Sequence, residues 1–214
     1  MNTLFPLKSI PVVWHVGTME PAKKRSGSHE GAGLSVSLHP DAWRLIARGQ
    51  VVGDYWRLSK ADSHFLDAHA MSEEQREMVA AWGVEHGFVT RKTLFRVSWF
   101  DDELDQDCYQ LCESHEAALA EVEDEENVEA VENCLIATSL LKDRTKSDAP
   151  SVLVHDLLLT LYAEDELSLD GVWWEDRLDI YAYSAPRGVI FPAMVKGWVA
   201  SHEPDFEPEP ADAW

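Results

Sequence analysis

Apolar residues recur along the chain in short runs that predict β-strands separated by helices. Residues Ile10 to Val16 are β-branched and aromatic, and Gly17 and Thr18 follow them, which is typical of a strand that ends in a turn. Similar runs predict strands over residues 11–17, 33–38, 93–100, 171–174 and 188–192, with another from Tyr55 to Leu58.

Three segments have the end signals or the apolar spacing of helices. Pro40 opens the first, and the capping-box sequence Ser72 to Gln75 opens the second. The inward positions of the second helix are expected to be Met78, Val79, Trp82 and Val84. Residues 149–167 are apolar on nearly every side and predict a buried helix, with a strand from Val152 to His155 as the alternative.

Acidic residues dominate two further stretches. From Asp101 to Cys134 there are fourteen Asp and Glu and no Lys or Arg. The apolar residues of this stretch fall at helical spacing, which predicts an acidic helical insertion around residues 101–146. The proline-rich and acidic segment 203–214 is expected to be a disordered tail.

These elements together predict one folded domain over residues 1–202. Its class is α+β, with a mixed or split sheet and helices packed around it. At 214 residues, with 45% hydrophobic residues and nine tryptophans, the chain has the composition of a globular protein.

The net charge of −21 changes the range of partners. Such a field repels phosphate backbones and anionic lipid head groups, so it argues against direct binding to duplex nucleic acid. Three explanations stay open for the acidity: solubility, docking to a basic protein partner, or imitation of nucleic acid.

Cysteines and apolar segments indicate the compartment. The three cysteines, Cys108, Cys112 and Cys134, lack the regular spacing of a disulfide framework and fit a reducing environment. Cys108 and Cys112 have no second pair nearby, so we expect small buried side chains here and no metal site. The sequence contains no signal-peptide pattern and no membrane-length apolar run, so we expect a cytoplasmic protein without a membrane association.

The candidate functional residues are a histidine, two serines and a carboxylate in the C-terminal part of the chain. His15 lies at the end of the first predicted strand, and Ser35 and Ser37 lie on the second. Imidazole and hydroxyl groups can hold a sugar by hydrogen bonds, while a carboxylate stabilises a sugar carbon that becomes positive as its leaving group departs. The combination suits glycosyl transfer, and the alternative is that each residue is structural.

Two sequence stretches resemble the ADP-ribosyltransferase-like fold of bacterial toxins, phage effectors and related NAD-using enzymes. "VVWHVGT" is similar to the first strand of that family, whose turn holds the nicotinamide-side ribose of NAD; His15, Gly17 and Thr18 match it. "GLSVS" is similar to the second strand, which carries Ser or Tyr beside the nicotinamide; Ser35 and Ser37 match it.

A third stretch, "LDGVWWEDRLDIYAYSAPRGVI", resembles the family's entry strand, hairpin and catalytic strand. Asp179 stands where the family has its catalytic Glu, and Pro186 and Ile190 follow slightly later than in the family. Because Asp has a shorter reach than Glu, Glu175 and Asp176 are the alternative carboxylates.

The resemblance implies NAD as the cosubstrate and a macromolecule, such as a protein, as the acceptor of ADP-ribose. The carboxylate would stabilise an oxocarbenium-like ribose as nicotinamide leaves, and His15 would orient a ribose. Arg187 would pair with the NAD pyrophosphate or with an internal carboxylate, and the basic loop Lys23–Arg25 is the other phosphate contact. Trp14, Trp173 and Tyr181 are candidates to stack on a ring, or else belong to the core.

Two other functions are consistent with the same sequence. One is a non-catalytic acidic interaction protein, such as an inhibitor, an antitoxin or immunity protein, or a nucleic-acid-mimicking decoy, with Asp101 to Glu132 as its working surface. The other is a nucleotide-binding pocket that keeps the fold without the activity, which the Asp at position 179 favours.

Overall fold

The computed structural model describes residues 4–19, 31–46, 54–102, 105–122, 127–147, 154–179 and 184–203. Its helices are α1 (Pro40–Ile46), α2 (Glu73–Glu85), α3 (His115–Leu119), α4 (Ser139–Thr145) and α5 (Val154–Glu166). Its strands are β1 (Leu7–Lys8), β2 (Val12–Val16), β3 (Leu34–Ser37), β4 (Tyr55–Ser59), β5 (Phe65–Asp67), β6 (Val89–Asp101), β7 (Gln106–Cys112), β8 (Val128–Ala137), β9 (Gly171–Trp174), β10 (Arg187–Ile190) and β11 (Val199–Glu203).

Two sheets organise these strands. The larger has the order β1-β5-β9-β10-β3-β2-β4-β11, and the smaller has the order β7-β6-β8. Strands β5 and β9 run parallel, whereas the other neighbours in the larger sheet run antiparallel. The predicted class, a mixed α and β fold with a mixed sheet, is confirmed at this level.

All the strands predicted from apolar runs are present, but two short strands of the larger sheet, the outer strand β1 and its neighbour β5, were not predicted. Strands β1 and β5 have two and three residues, which is too short for a period of two to be recognised. The last residue of strand β11 is Glu203, which is also the first residue of the predicted tail, so the tail prediction is wrong at this one position. Residues 204–214 lie outside the described part of the chain.

The predicted helix ends are confirmed where the capping signal is strong. Ser72 and Gln75 form a reciprocal capping box at the start of α2. Val79 is buried, and Met78 and Trp82 pack against the core, but Val84 is 41% exposed, so its predicted inward position is wrong. The strand alternative at Val154 and His155 is also wrong, because both residues lie in α5.

The predicted helical insertion is wrong, because most of it forms an antiparallel sheet. Strands β7 and β8 pair with the two edges of the 13-residue strand β6. Val128 and Val131, three residues apart, lie opposite Val97 and Leu94 and therefore serve different faces of the strand. An apolar spacing of three residues thus fits one face of a helix, and it also fits a strand that has both faces partly covered. Here the segment is a strand because it pairs with β6.

The core lies on both faces of the larger sheet. Helices α2 and α5 bury one face, where Val172, Trp174 and Val189 lie. The other face contributes Trp173 and Ile190, which pack with Phe65 and Trp198. Val89 and Leu135 also belong to the first cluster, so the base of the smaller sheet is continuous with the main core. No helix in the described ranges is both long enough and apolar enough to cross a membrane.

Candidate functional site at the seam between two strands

His15 bridges a weak junction between β2 and β3, which we call the seam. The described ladder between these strands has one register pair, Trp14 with Ser37. Just beyond it, the His15 side chain is 2% exposed and places Nδ1 2.7 Å from the carbonyl oxygen of Ser35. Its Nε2 lies 3.0 Å from the carbonyl oxygen of Thr18. The imidazole ring therefore continues the contact between the strands where the backbone ladder stops.

The turn after β2 is held on its other side by hydrogen bonds with Asp54 and Trp56. Gly17 has φ +126°, a conformation that favours glycine because other residues carry a Cβ. Its N–H donates to the carbonyl oxygen of Asp54 at 3.0 Å, and its own carbonyl accepts from Trp56 Nε1 at 3.0 Å. These bonds hold the predicted ribose-binding turn, from His15 to Thr18, in one shape.

Ser35 and Ser37 share one face of β3 but differ in their contacts. Ser37 Oγ donates to the carbonyl oxygen of Pro186 at 2.7 Å and accepts from the backbone N–H of His39 at 3.1 Å. Ser35 is 4% exposed, and its Oγ has no hydrogen-bond partner in the described part of the chain. Since buried hydroxyls are nearly always paired, Ser35 is the unusual one and a candidate ligand contact.

Arg187 forms the far side of the site, directly across from Ser37 in the register of β10 and β3. Its Nε donates to Asp176 Oδ2 at 2.9 Å, and its Nη2 lies 3.5 Å from Asp156 Oδ2. The guanidinium carbon lies 4.6 Å from the centre of the Trp174 ring, whose Nε1 donates to Asp156 Oδ1 at 3.0 Å. The sequence predicted two alternative partners for Arg187, the NAD pyrophosphate and an internal carboxylate. In the structure Arg187 pairs with the internal carboxylates of Asp176 and Asp156.

The three late carboxylates have different surroundings. The backbone of Asp179 forms an isolated antiparallel bridge with Ser184, at 2.8 and 2.9 Å. Asp176 contacts Arg187 and so lies beside the start of β10. Glu175 accepts from Trp173 Nε1 at 2.9 Å and from the Lys8 ammonium, whose hydrogen bond holds the pKa of Glu175 below its ordinary value. Strand β1, which carries Lys8, is the outer strand at the end of the sheet away from β2, so the ion pair directs Glu175 away from β2 and β3.

Trp173, a predicted stacking residue, is a core residue. It has no exposed surface, and its ring packs edge-on against Phe65 with the ring centres 6.0 Å apart. A ring buried on both sides has no face to offer a ligand. The other aromatic candidate in this window, Tyr181, and the basic loop Lys23–Arg25 lie outside the described residues.

Asp156 is the contact that sequence reasoning missed. It lies in the first turn of α5, directly before the apolar run "LLLTL", and its side chain is 27% exposed. A partly buried carboxylate beside an apolar run is stabilised by a polar partner. That signal could have identified Asp156 as the partner of Trp174 and Arg187.

Comparison of the chain with protein-family models, curated proteins and solved structures gives no match. The described residues contain no cluster of three or more His, Cys, Asp or Glu side chains that could hold a metal ion. The site combines a fixed turn, a buried hydroxyl without a partner among the described residues and a carboxylate-paired arginine on three neighbouring strands. Ser35, Ser37 and Arg187 share one face of the sheet, whereas His15, two residues after Val13, lies on the other face. The structure therefore does not bring the His15 ring and the Ser35 hydroxyl together.

Proposed function

We propose that the chain binds NAD at the seam and transfers its ADP-ribose to a macromolecular acceptor. The observation that carries the proposal is the adjacency of β10, β3 and β2 in one sheet. The three sequence stretches that resemble ADP-ribosyltransferases end up on these strands or on the segment leading into β10. The third stretch is far from the other two in the sequence, so the pairing of β10 with β3 is additional support.

The residues at the seam are suited to hold the nicotinamide half of NAD. The Ser35 hydroxyl, which has no partner among the described residues, supplies a hydrogen-bonding group on β3, and the His15 to Thr18 turn supplies a fixed backbone at the end of the neighbouring strand β2. NAD contributes the glycosidic bond, which breaks as nicotinamide leaves with the bonding electrons and the acceptor's nucleophile bonds to the same ribose carbon. The residues of the chain have to orient the ribose and place a carboxylate near that carbon.

Asp179 and Asp176 are the carboxylates proposed for this role. Asp179 is the position that matches the family's catalytic Glu, and Asp176 lies beside Arg187 at the start of β10. Glu175 is the poorest of the three, because its ion pair with Lys8 directs it toward β1. Arg187 positions Asp176 and the start of β10, and a contact of Arg187 with the NAD pyrophosphate would require it to exchange an internal partner.

The test is a titration with NAD by calorimetry, together with a nicotinamide-release assay. We expect release by the wild type and a loss of about a hundredfold or more in one of Asp179→Asn and Asp176→Asn, the size expected for a transition-state contact. His15→Ala, which removes the buried link from β2 to the carbonyl oxygens of Ser35 and Thr18, should also lower release. Glu175→Gln is the matched control and should keep near-wild-type release. Absence of NAD binding, or equal release by all variants, would contradict the proposal.

A further inference from the structure

The hairpin formed by β6 and β7 exposes three large aromatic side chains. Trp99, Phe100 and Tyr109 are 41%, 53% and 59% exposed. Single exposed apolar residues are ordinary on protein surfaces, but a group of aromatics at one end of a hairpin marks an interaction site more often. We call these three residues, together with Asp102, Asp105 and Asp107, the hairpin surface.

The strand register places two of these aromatics on one face. Phe100 lies opposite Asp107 and Ser98 lies opposite Tyr109, so Phe100 and Tyr109 are diagonal neighbours. The opposite face has a cover of its own, because Val97 and Cys112 pack with Ala118 of α3. The exposure of Phe100 and Tyr109 therefore shows that their face is open at this end of the sheet.

Strand β7 adds a backbone edge to the hairpin surface. The order β7-β6-β8 makes β7 an outer strand, and most of its residues are exposed. An outer strand can accept an extended segment as a further strand, with main-chain hydrogen bonds for affinity and side-chain contacts for selectivity.

The negative charge around the hairpin surface favours a positively charged partner. Between Val97 and Leu141 the chain has fourteen Asp and Glu and no Lys or Arg. A second copy of this chain would bring the same net charge of −21 and would be repelled, whereas a cationic segment would be attracted. Exposed aromatic rings also bind ammonium and guanidinium groups directly.

We propose that the hairpin surface binds an extended, lysine- or arginine-rich segment of a protein partner, added along β7. The aromatic rings of Phe100 and Tyr109 contact its cationic side chains, and Asp102, Asp105 and Asp107 attract it. The proposal does not depend on NAD chemistry at the seam.

The test uses a fluorescent peptide that alternates lysine and valine, with a glutamate–valine peptide as the probe's control. Binding is followed by anisotropy at several salt concentrations. We expect saturable binding of the lysine peptide that weakens with salt, and roughly a tenfold loss of affinity in the double variant Phe100→Ser, Tyr109→Ser. Val199→Ser, at a 70% exposed position on the outer strand β11, is the matched control and should leave affinity unchanged.

Three results would overturn this proposal. The first is no binding of the lysine peptide, and the second is binding that the double variant retains, which would mean unspecific attraction to an acidic protein. The third is a dimer in sedimentation that the double variant abolishes, which would make a second copy the occupant. Asp107→Lys is a second test of the same surface: it should also weaken binding, and unchanged affinity would contradict the proposed role of the acids.

Discussion

Ser35 and Ser37 show how much the role of a side chain depends on its contacts. They are the same residue type, two positions apart on one strand, and both are buried. Ser37 ties the end of β3 to Pro186 and so fixes the start of β10, whereas the Ser35 hydroxyl has no hydrogen-bond partner among the described residues. A sequence motif of the form Ser-x-Ser does not predict which of the two hydroxyl groups is hydrogen-bonded.

Alanine substitutions should separate these two roles. Ser37→Ala leaves the buried carbonyl of Pro186 without its donor, so we expect a loss of about 1–3 kcal/mol in the free energy of unfolding. Ser35→Ala removes a hydroxyl that has no partner in the part of the chain that the structure describes, so it should be nearly neutral or slightly stabilising. Denaturant unfolding of both variants measures this. A large destabilisation by Ser35→Ala would mean that its hydroxyl is bonded in solution.

The candidate site was predictable in part. The sequence singled out His15, Gly17, Ser35 and Arg187, which lie on neighbouring strands or the turn that follows. It could not show that the side chains of His15 and Ser35 lie on opposite faces of the sheet, because that depends on the register of β2 and β3. It could not show that Glu175 is engaged by Lys8, because that contact joins residues far apart in the chain. The burial of Trp173 could not be predicted from the sequence either, because an aromatic residue on a strand can belong to the core or stack on a ligand.

At the scale of elements, local signals were reliable where they act within a few residues. The capping box of α2 needs only the reciprocal contacts of Ser72 and Gln75, and it is present as predicted. Strands β7 and β8 depend instead on pairing with β6, and short-range spacing does not contain that information. Their acidic residues suited an exposed helix and an exposed strand equally.

The capping contact of α2 gives a prediction at this scale. Ser72 Oγ accepts from the backbone N–H of Gln75 at 3.2 Å, and Gln75 Oε1 accepts from the backbone N–H of Ser72 at 2.8 Å. We expect Ser72→Ala to lower the free energy of unfolding by about 1 kcal/mol in urea unfolding. Ser72→Asp keeps an acceptor at the helix start and should lose much less. Equal losses would show that the cap contributes nothing specific.

For the whole molecule, the net charge of −21 sets a balance between solubility and self-repulsion. Like charges spread over one surface oppose the compact state, and salt weakens them over a Debye length of about 10 Å at 0.1 M. The thermal midpoint at neutral pH should therefore rise as sodium chloride is added from a low starting concentration. Near the isoelectric point of about 4.6, the same titration should have little effect, and a fall in the midpoint at neutral pH would contradict the expectation.

Strand β6 has one further consequence. Its first residue, Val89, is anchored in the main core, and its last, Asp101, lies at the hairpin end. At about 3.4 Å per residue, thirteen residues measure roughly 40 Å, so β6 holds the hairpin end at about this distance from the main core. A force applied at the hairpin end would be transmitted to α2 and α5 through the backbone of β6. A fluorophore attached near Asp101 would report on binding at the hairpin end without contacting the residues around Val89.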